Sequence, residues 1–483
     1  MIGLALLLLG WLELSPVPLI AQIIGTTEPA LKLLISILLG YPLGIIYNAK
    51  IKEHKSLRHI YFALMGIDLA IYNFGWSFIH NAIPALVIYL TTFIFGPGKW
   101  NAIITFVFNM TYLLVGYVMT ESEDYDITWT MPHCVLTLKL IALSFDVWDG
   151  QKLKQGKELS SNNKKTALER VPTLLELFGF VYFPACFLVG PIFSFKRYLD
   201  FVSDKYPLES ESKSLKKHAV QRLVQGFAYL IAFQVGVSVF NIKYMMSDEF
   251  WETSILYRHF YCGLWAHFAL YKYISCWLLT EASCIRFGLS YNGIEDTKDG
   301  PVAKWDGCNN IKLMLFEGAT KFQHYIDSFN CNTNFFAAEY IYKRLKFLNN
   351  RHLSQFFTLL FLALWHGLRS GYYMTFFNEF IIIFMEKEVE SIISKTALYE
   401  KVWNSHLKYV MYIFLKAYTI VFMGWSLAPF DLKIFWKWWQ VYYSLFFSGF
   451  LIFLPWPFLY KRLLKMAVKK YLKPKLDEKP KSS

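Results

Sequence analysis

Charge is scarce in this chain of 483 residues: Asp, Glu, Lys and Arg make up 18% of it, against 55% hydrophobic residues, with a mean hydropathy of +0.32. A soluble globular domain carries roughly 25% charged residues, so a water-soluble globule does not fit. Regular cysteine spacing is also missing. Cys134, Cys186, Cys262, Cys276, Cys284, Cys308 and Cys331 form no CxxC pair and no regular pattern with the histidines. That argues against a disulfide framework and against zinc. There is no HExxH, Walker A, GxGxxG or GxSxG, which removes the chemistries those motifs carry. Neither a metal nor a bound cofactor is expected.

Apolar runs and aromatic residues are abundant. The chain has 44 Phe, 31 Tyr and 16 Trp, or 19% aromatics, which suits apolar helices and interfacial belts. A helix crosses the bilayer core with about 20 mostly apolar residues. Candidate segments are roughly 31–48, 59–79, 82–97, 101–120, 131–148, 173–195, 219–240, 256–283, 353–366, 371–386, 406–429 and 438–460. Several are short or carry polar residues. The expected fold is all-α and polytopic, with about nine to eleven transmembrane helices and the other segments embedded or re-entrant.

Net charge is +13, from 49 basic and 36 acidic residues. The basic residues sit between apolar runs and in the tail, at 49–58, 150–170, 196–218 and 461–483. They read as cytosolic segments under the positive-inside rule, with no nucleic acid partner. A basic pocket for a phosphorylated cofactor stays open. Residues 2–24 lack a basic n-region and read as an interfacial or embedded helix rather than a cleaved signal. Residues 1–460 form the expected membrane domain and 461–483 a Lys-rich cytosolic tail. Lys479 and Lys481 match a dilysine retrieval pattern, which points to the endoplasmic reticulum membrane; a solubilising tail is the plainer reading.

The chemistry-bearing stretch is 304–373. His366 closes an apolar run from Phe356 to Trp365, and an ionisable residue at membrane depth is a functional hypothesis by default. On one helix it lies about 21 Å from His352. Burial disfavours the imidazolium and leaves a neutral ring, the form a general base needs. A core histidine with one hydrogen bond is the plainer alternative. Asn330, Asn332 and Asn334 alternate through a polar break. An Asn amide donates to an oxyanion or caps a helix starting near Phe335. Capping is expected of Asn332 or Asn334, and Asn330 stays undecided. The cations Lys343, Arg344 and Lys346 suit cofactor phosphates or lipid headgroups. Asn109 falls inside an apolar run, so glycosylation there is not expected.

These residues resemble a family. Phe329-Asn330, Tyr342-Lys343-Arg344 and Leu364-Trp365-His366-Gly367 look like the signature of the membrane-bound O-acyltransferases, the MBOAT superfamily. Trp129 to Leu140 (WTMPHCVLTLKL), Leu188-Val189-Gly190-Pro191 and Lys343 to Leu348 are similar to its lysophosphatidylcholine acyltransferase branch. The likeness runs over residues 30–460. Many superfamily members have Trp before the motif Asn; Phe329 stands there, as in the branch resembled.

The resemblance implies an MBOAT fold enclosing a tunnel. It also implies acyl transfer from acyl-CoA, as co-substrate, to the free hydroxyl of a lysophospholipid in Lands-type phospholipid remodelling. His366 is then the catalytic base and Asn330 its partner, orienting His366 or polarising the thioester. Lys343, Arg344 and Lys346 are candidates for the CoA phosphates. Lysophosphatidylcholine is the expected acceptor, with the serine and ethanolamine lysolipids open and polyunsaturated chains expected as donors. Membrane lipids are partners, and homodimerisation is left open. The alternatives are a protein or sterol acceptor on the same fold, or a non-catalytic transporter or scaffold.

Overall fold

In an apolar solvent the backbone amides of such runs have only one another to bond to, and helices are the result. The computed structural model describes residues 16–122, 127–205, 213–298 and 300–472. Among them the one sheet is an antiparallel hairpin, Ile294–Thr297 with Gly300–Ala303, pairing Ile294 with Ala303. The rest is helix and connecting loop. Within 2–24, a helix spans Val17–Ile23; residues 1–15 lie outside the described residues. So do Lys479 and Lys481, whereas the first part of the expected tail forms the helix Lys461–Tyr471.

Six helical runs are long and apolar enough to cross a membrane, and a seventh crossing results if Phe435–Ser444 and Ser448–Tyr471, bent by 71°, count as one. The expectation of about nine to eleven spans treated 59–79 and 82–97 separately, whereas they join in one run, Lys55–Phe95. It also included Ile255–Phe287, Arg351–His366 and Ser370–Ile393, which are absent from those six. Buried ionisable groups such as Arg258, Glu281 and Arg286 lower the hydropathy of the first of these.

Local sequence sets where these helices begin and end. Ser254 caps Ile255–Phe287 by accepting from the Tyr257 N–H, and Gly288 ends it at φ 99°. Asn350 caps Arg351–His366 by accepting from the Leu353 N–H at 3.0 Å. Helix Ile255–Phe287 crosses Leu407–Leu432 where glycines meet. A Cβ on Gly424 would lie 2.5 Å from the backbone of Cys262, and one on Gly263 2.7 Å from the Ile420 carbonyl. Small residues at such a crossing let backbones approach and gain van der Waals contact.

Helix Thr130–Lys154 is the innermost. Of its apolar window 78% is buried, against 11–33% in the other five candidate spans. Residues Trp129 to Leu140, the stretch with the branch resemblance, form its first half and the turn before it. Three of the charged groups it carries inward have partners elsewhere in the chain. Lys139 donates to the Phe180 carbonyl at 2.7 Å and lies over the Phe180 and Phe193 rings, 4.1 and 4.8 Å from their centroids. Asp146 accepts from Tyr340 at 2.7 Å and Thr166 at 2.8 Å. Asp149 pairs with Arg344 through both carboxylate oxygens and with Lys152 at 3.0 Å. Asn109 is fully buried and donates to the Thr105 carbonyl.

Candidate active site

His366 is the last residue of helix Arg351–His366. Two hydrogen bonds fix the end of that helix. The Trp365 indole donates to the Cys134 carbonyl at 2.8 Å, and the Tyr117 hydroxyl donates to the Trp365 carbonyl at 2.9 Å. Gly367 then turns the chain away at φ 137°, a conformation other residues rarely adopt. Gly371 follows, where a Cβ would lie 1.9 Å from the Pro429 carbonyl oxygen. Both glycines are therefore demanded by geometry.

Aromatic rings surround the imidazole. Its centroid is 4.9 Å from Phe430, 5.5 Å from Phe376 in a stacked arrangement, and 5.7 Å from Tyr372. Neither ring nitrogen has a hydrogen-bond partner among the described residues, and neither is sealed by protein. His366 lies deep among protein atoms yet keeps accessible surface. His133 makes the contrast: it is 0% exposed, and both its nitrogens are sealed. The alternative of a core histidine satisfied by one hydrogen bond does not describe His366.

Asn330 adopts the left-handed conformation, φ 50° and ψ 45°, at the N-terminus of helix Cys331–Phe336. Its side chain does not cap that helix; its Oδ1 accepts from Asn310 Nδ2 at 3.1 Å. The capping expected of Asn332 or Asn334 is corrected, because the helix starts at Cys331 rather than near Phe335. Asn332 instead donates to the Asn309 carbonyl at 3.0 Å, and Asn334 to the Ile326 and Phe329 carbonyls at 2.7 and 2.9 Å. These bonds hold the polar break in one shape. Asn330 and His366 share no hydrogen bond among the described residues. Phe329, beside Asn330, contacts Tyr273 at 6.3 Å and Trp277 at 4.8 Å.

The basic segment lies elsewhere. Lys343 pairs with Glu339, and Arg344 is held by Asp149, so two of the three expected phosphate ligands already have anionic partners. Lys346 has no ion pair among the described residues. Asn162 donates to the same Glu339 carboxylate at 2.8 Å, which ties this segment to the rim of a cavity of about 710 Å³. Lys52, Lys164, Lys165, Lys196, Arg197 and Lys205 line that cavity with only Asp200 and Asp204 as acids. Asp204 also pairs with the buried Arg58 at 2.8 Å, and Lys196 with Asp200 at 3.2 Å. Lys164 and Lys165 are exposed and have no ion pair among the described residues. Sequence reading treated 150–170 and 196–218 as separate hydrophilic loops. Their joint role depends on folding, although the density of lysine in both was a signal. Trp305 and Asp306 shape a loop: the Trp305 indole donates to Ser214 Oγ at 3.0 Å, and Asp306 accepts from Asn292 at 2.9 Å.

A helical integral membrane protein with a histidine among aromatic rings and an asparagine held in a polar break is the class this architecture defines. A sequence model described as the membrane-bound O-acyltransferase family matches residues 114–428, and the chain belongs to that family. It is 42% identical over 450 residues to "Lysophospholipid acyltransferase 5" of Drosophila melanogaster, covering 91% of this chain and 88% of that protein. The protein of the same name in Homo sapiens is 40% identical, covering 92% and 91%. Its counterpart in Caenorhabditis elegans is 32% identical, covering 92% and 94%.

The Arg344–Asp149 pair separates a structural role from phosphate binding. The Asp149 side chain is 1% exposed and that of Arg344 18%, so removing the cation leaves a buried carboxylate with Lys152 alone as its counter-charge, a loss of up to about 3 kcal/mol. Arg344→Ala is expected to lower protein abundance and melting temperature in detergent, without a selective rise in KM for the acyl donor. Normal abundance with a raised KM contradicts this.

Proposed function

We propose that the protein transfers an acyl chain from acyl-CoA to the free sn-2 hydroxyl of a lysophospholipid, with lysophosphatidylcholine the principal acceptor and lysophosphatidylserine and lysophosphatidylethanolamine further candidates. Polyunsaturated acyl chains are the proposed donors, and phospholipid remodelling in the endoplasmic reticulum membrane, with the Lys-rich tail in the cytosol, is the proposed setting. The names of the relatives support the reaction class. The observation that carries the site is His366, an enclosed imidazole with both nitrogens unbonded and unsealed.

A lipid hydroxyl becomes an effective nucleophile when a base removes its proton in the transition state. His366 takes that proton as the hydroxyl oxygen bonds to the thioester carbonyl carbon. The carbonyl oxygen gains negative charge, and Asn330 Nδ2 donates to it. The C–S bond then breaks, the new ester is released, and the CoA sulfur takes the proton back from His366. The surrounding rings exclude water, which would otherwise compete for the thioester.

The basic cavity suits the phosphates of CoA better than the paired Lys343 and Arg344, because Lys164 and Lys165 bring charge without a partner to neutralise. Lys346, which has no ion pair among the described residues, is a secondary candidate. Phosphate contacts far from the reacting atoms strengthen substrate and transition-state binding equally, so their loss raises KM and spares kcat.

The first test is acyl transfer in microsomes with lysophosphatidylcholine and a polyunsaturated acyl-CoA. His366→Ala at matched abundance is expected to lose about 10²–10⁴-fold in rate, the range for a general base; unchanged activity refutes the assignment. Absence of transfer by the wild-type protein across lysolipid acceptors would turn the assignment toward a protein or sterol acceptor. The second test is the double substitution Lys164→Ala with Lys165→Ala. It is expected to raise KM for acyl-CoA by roughly 5–10-fold with kcat unchanged, less at high salt. An unchanged KM at low salt places the phosphates elsewhere.

A further inference from the structure

An asparagine amide has a donating end and an accepting end, and only the donating end stabilises an oxyanion. The hydrogen bonds around Asn310 decide which end of Asn330 is free. Asn310 is 2% exposed. Its backbone N–H donates to Glu281 Oε1 at 2.6 Å, and its carbonyl accepts from the Cys331 N–H at 3.0 Å. Its Oδ1 accepts from the Asn332 N–H at 3.1 Å. A backbone N–H can only donate, so the Asn310 atom facing it is the side-chain oxygen. The atom turned to Asn330, 3.1 Å away, is therefore Nδ2, and it meets Asn330 Oδ1. Asn330 Nδ2 is left on the other side, with no partner among the described residues and not sealed by protein.

Behind Asn310 the network continues. Glu281 is 0% exposed, and its second oxygen lies 3.3 Å from Arg222 Nε on helix Lys213–Val239. Arg222, Glu281 and Asn310 thus connect an outer helix to the polar break that holds Asn330. We propose that Asn310 is a positioning residue for acyl transfer, acting through Asn330 by holding its amide with Nδ2 free to donate. This rests on the reading of Asn330 as the donor to the thioester oxygen. It replaces the choice between orienting His366 and polarising the carbonyl with the second.

Asn310→Asp keeps the shape and removes the donor. The carboxylate faces Asn330 Oδ1, and the Asn330 amide turns to offer its Nδ2 backward. Asn310→Ser is the milder companion. The full-length protein is assayed in microsomes with lysophosphatidylcholine and a polyunsaturated acyl-CoA, alongside Asn330→Ala and the double variant Asn310→Asp with Asn330→Ala. Both Asn310 variants are expected to lower kcat at least about tenfold at matched abundance, with KM for acyl-CoA within about twofold. In the Asn330→Ala background, Asn310→Asp is expected to cost no more than about twofold further, because its effect runs through the missing amide.

A kcat within about twofold of wild type in the Asn310 variants, with Asn330→Ala impaired, overturns the positioning role alone. A further tenfold loss in the double variant, or a loss of activity that only tracks loss of protein in both Asn310 variants, overturns it as well, because each makes Asn310 structural. Wild-type activity in Asn330→Ala sinks the Asn330 reading itself.

Discussion

Helix Thr130–Lys154 has almost no surface on which to leave a polar group, and the layout of the molecule follows from that constraint. Near its start, the Cys134 carbonyl receives the Trp365 indole, which fixes the helix end that carries His366. Toward its other end, Asp146 and Asp149 receive Tyr340, Thr166 and Arg344. Those bonds place the segment beside the basic cavity. Cys134 and Asp149 are separated by about 22 Å of helix. On the proposed reading, the helix separates a site for thioester chemistry from a site for phosphates, and the pantetheine arm of CoA spans that interval.

The chemistry asks little of the chain beyond placement. A thioester is already activated, and its sulfur is a good leaving group, so one base and one oxyanion donor suffice. On the proposed reading, the rings of Tyr372, Phe376 and Phe430 keep an unpaired imidazole neutral and exclude water. Asn330 sits in a left-handed turn, a conformation asparagine tolerates better than most residues.

Much of this was legible in the sequence, because apolar runs and short motifs are local properties. The helical membrane architecture followed from the runs. His366 stood out as an ionisable residue closing the apolar run Phe356–Trp365, although a core histidine was the plainer reading until the family resemblance was weighed. The span count was less legible: 256–283 read as a candidate span, yet Glu281 and Arg286, buried in the folded protein, keep Ile255–Phe287 out of the six most apolar runs. The partner of Arg344 was hidden for a related reason, since Asp149 lies almost two hundred residues away in the chain. Lys164 and Lys165 meet Lys196 and Arg197 only after folding. Asn310 gave no sequence signal, because its importance lies in what its two amide atoms face.

The most direct test of the central claim is a structure of the full-length protein with a non-hydrolysable acyl-CoA analogue and a lysophosphatidylcholine. The account predicts that the analogue's carbonyl oxygen accepts from Asn330 Nδ2 at about 2.7–3.1 Å. It also predicts that the lysolipid hydroxyl faces a His366 ring nitrogen and that the CoA phosphates lie in the Lys164–Lys165 cavity. A carbonyl seated away from both Asn330 and His366 would contradict it.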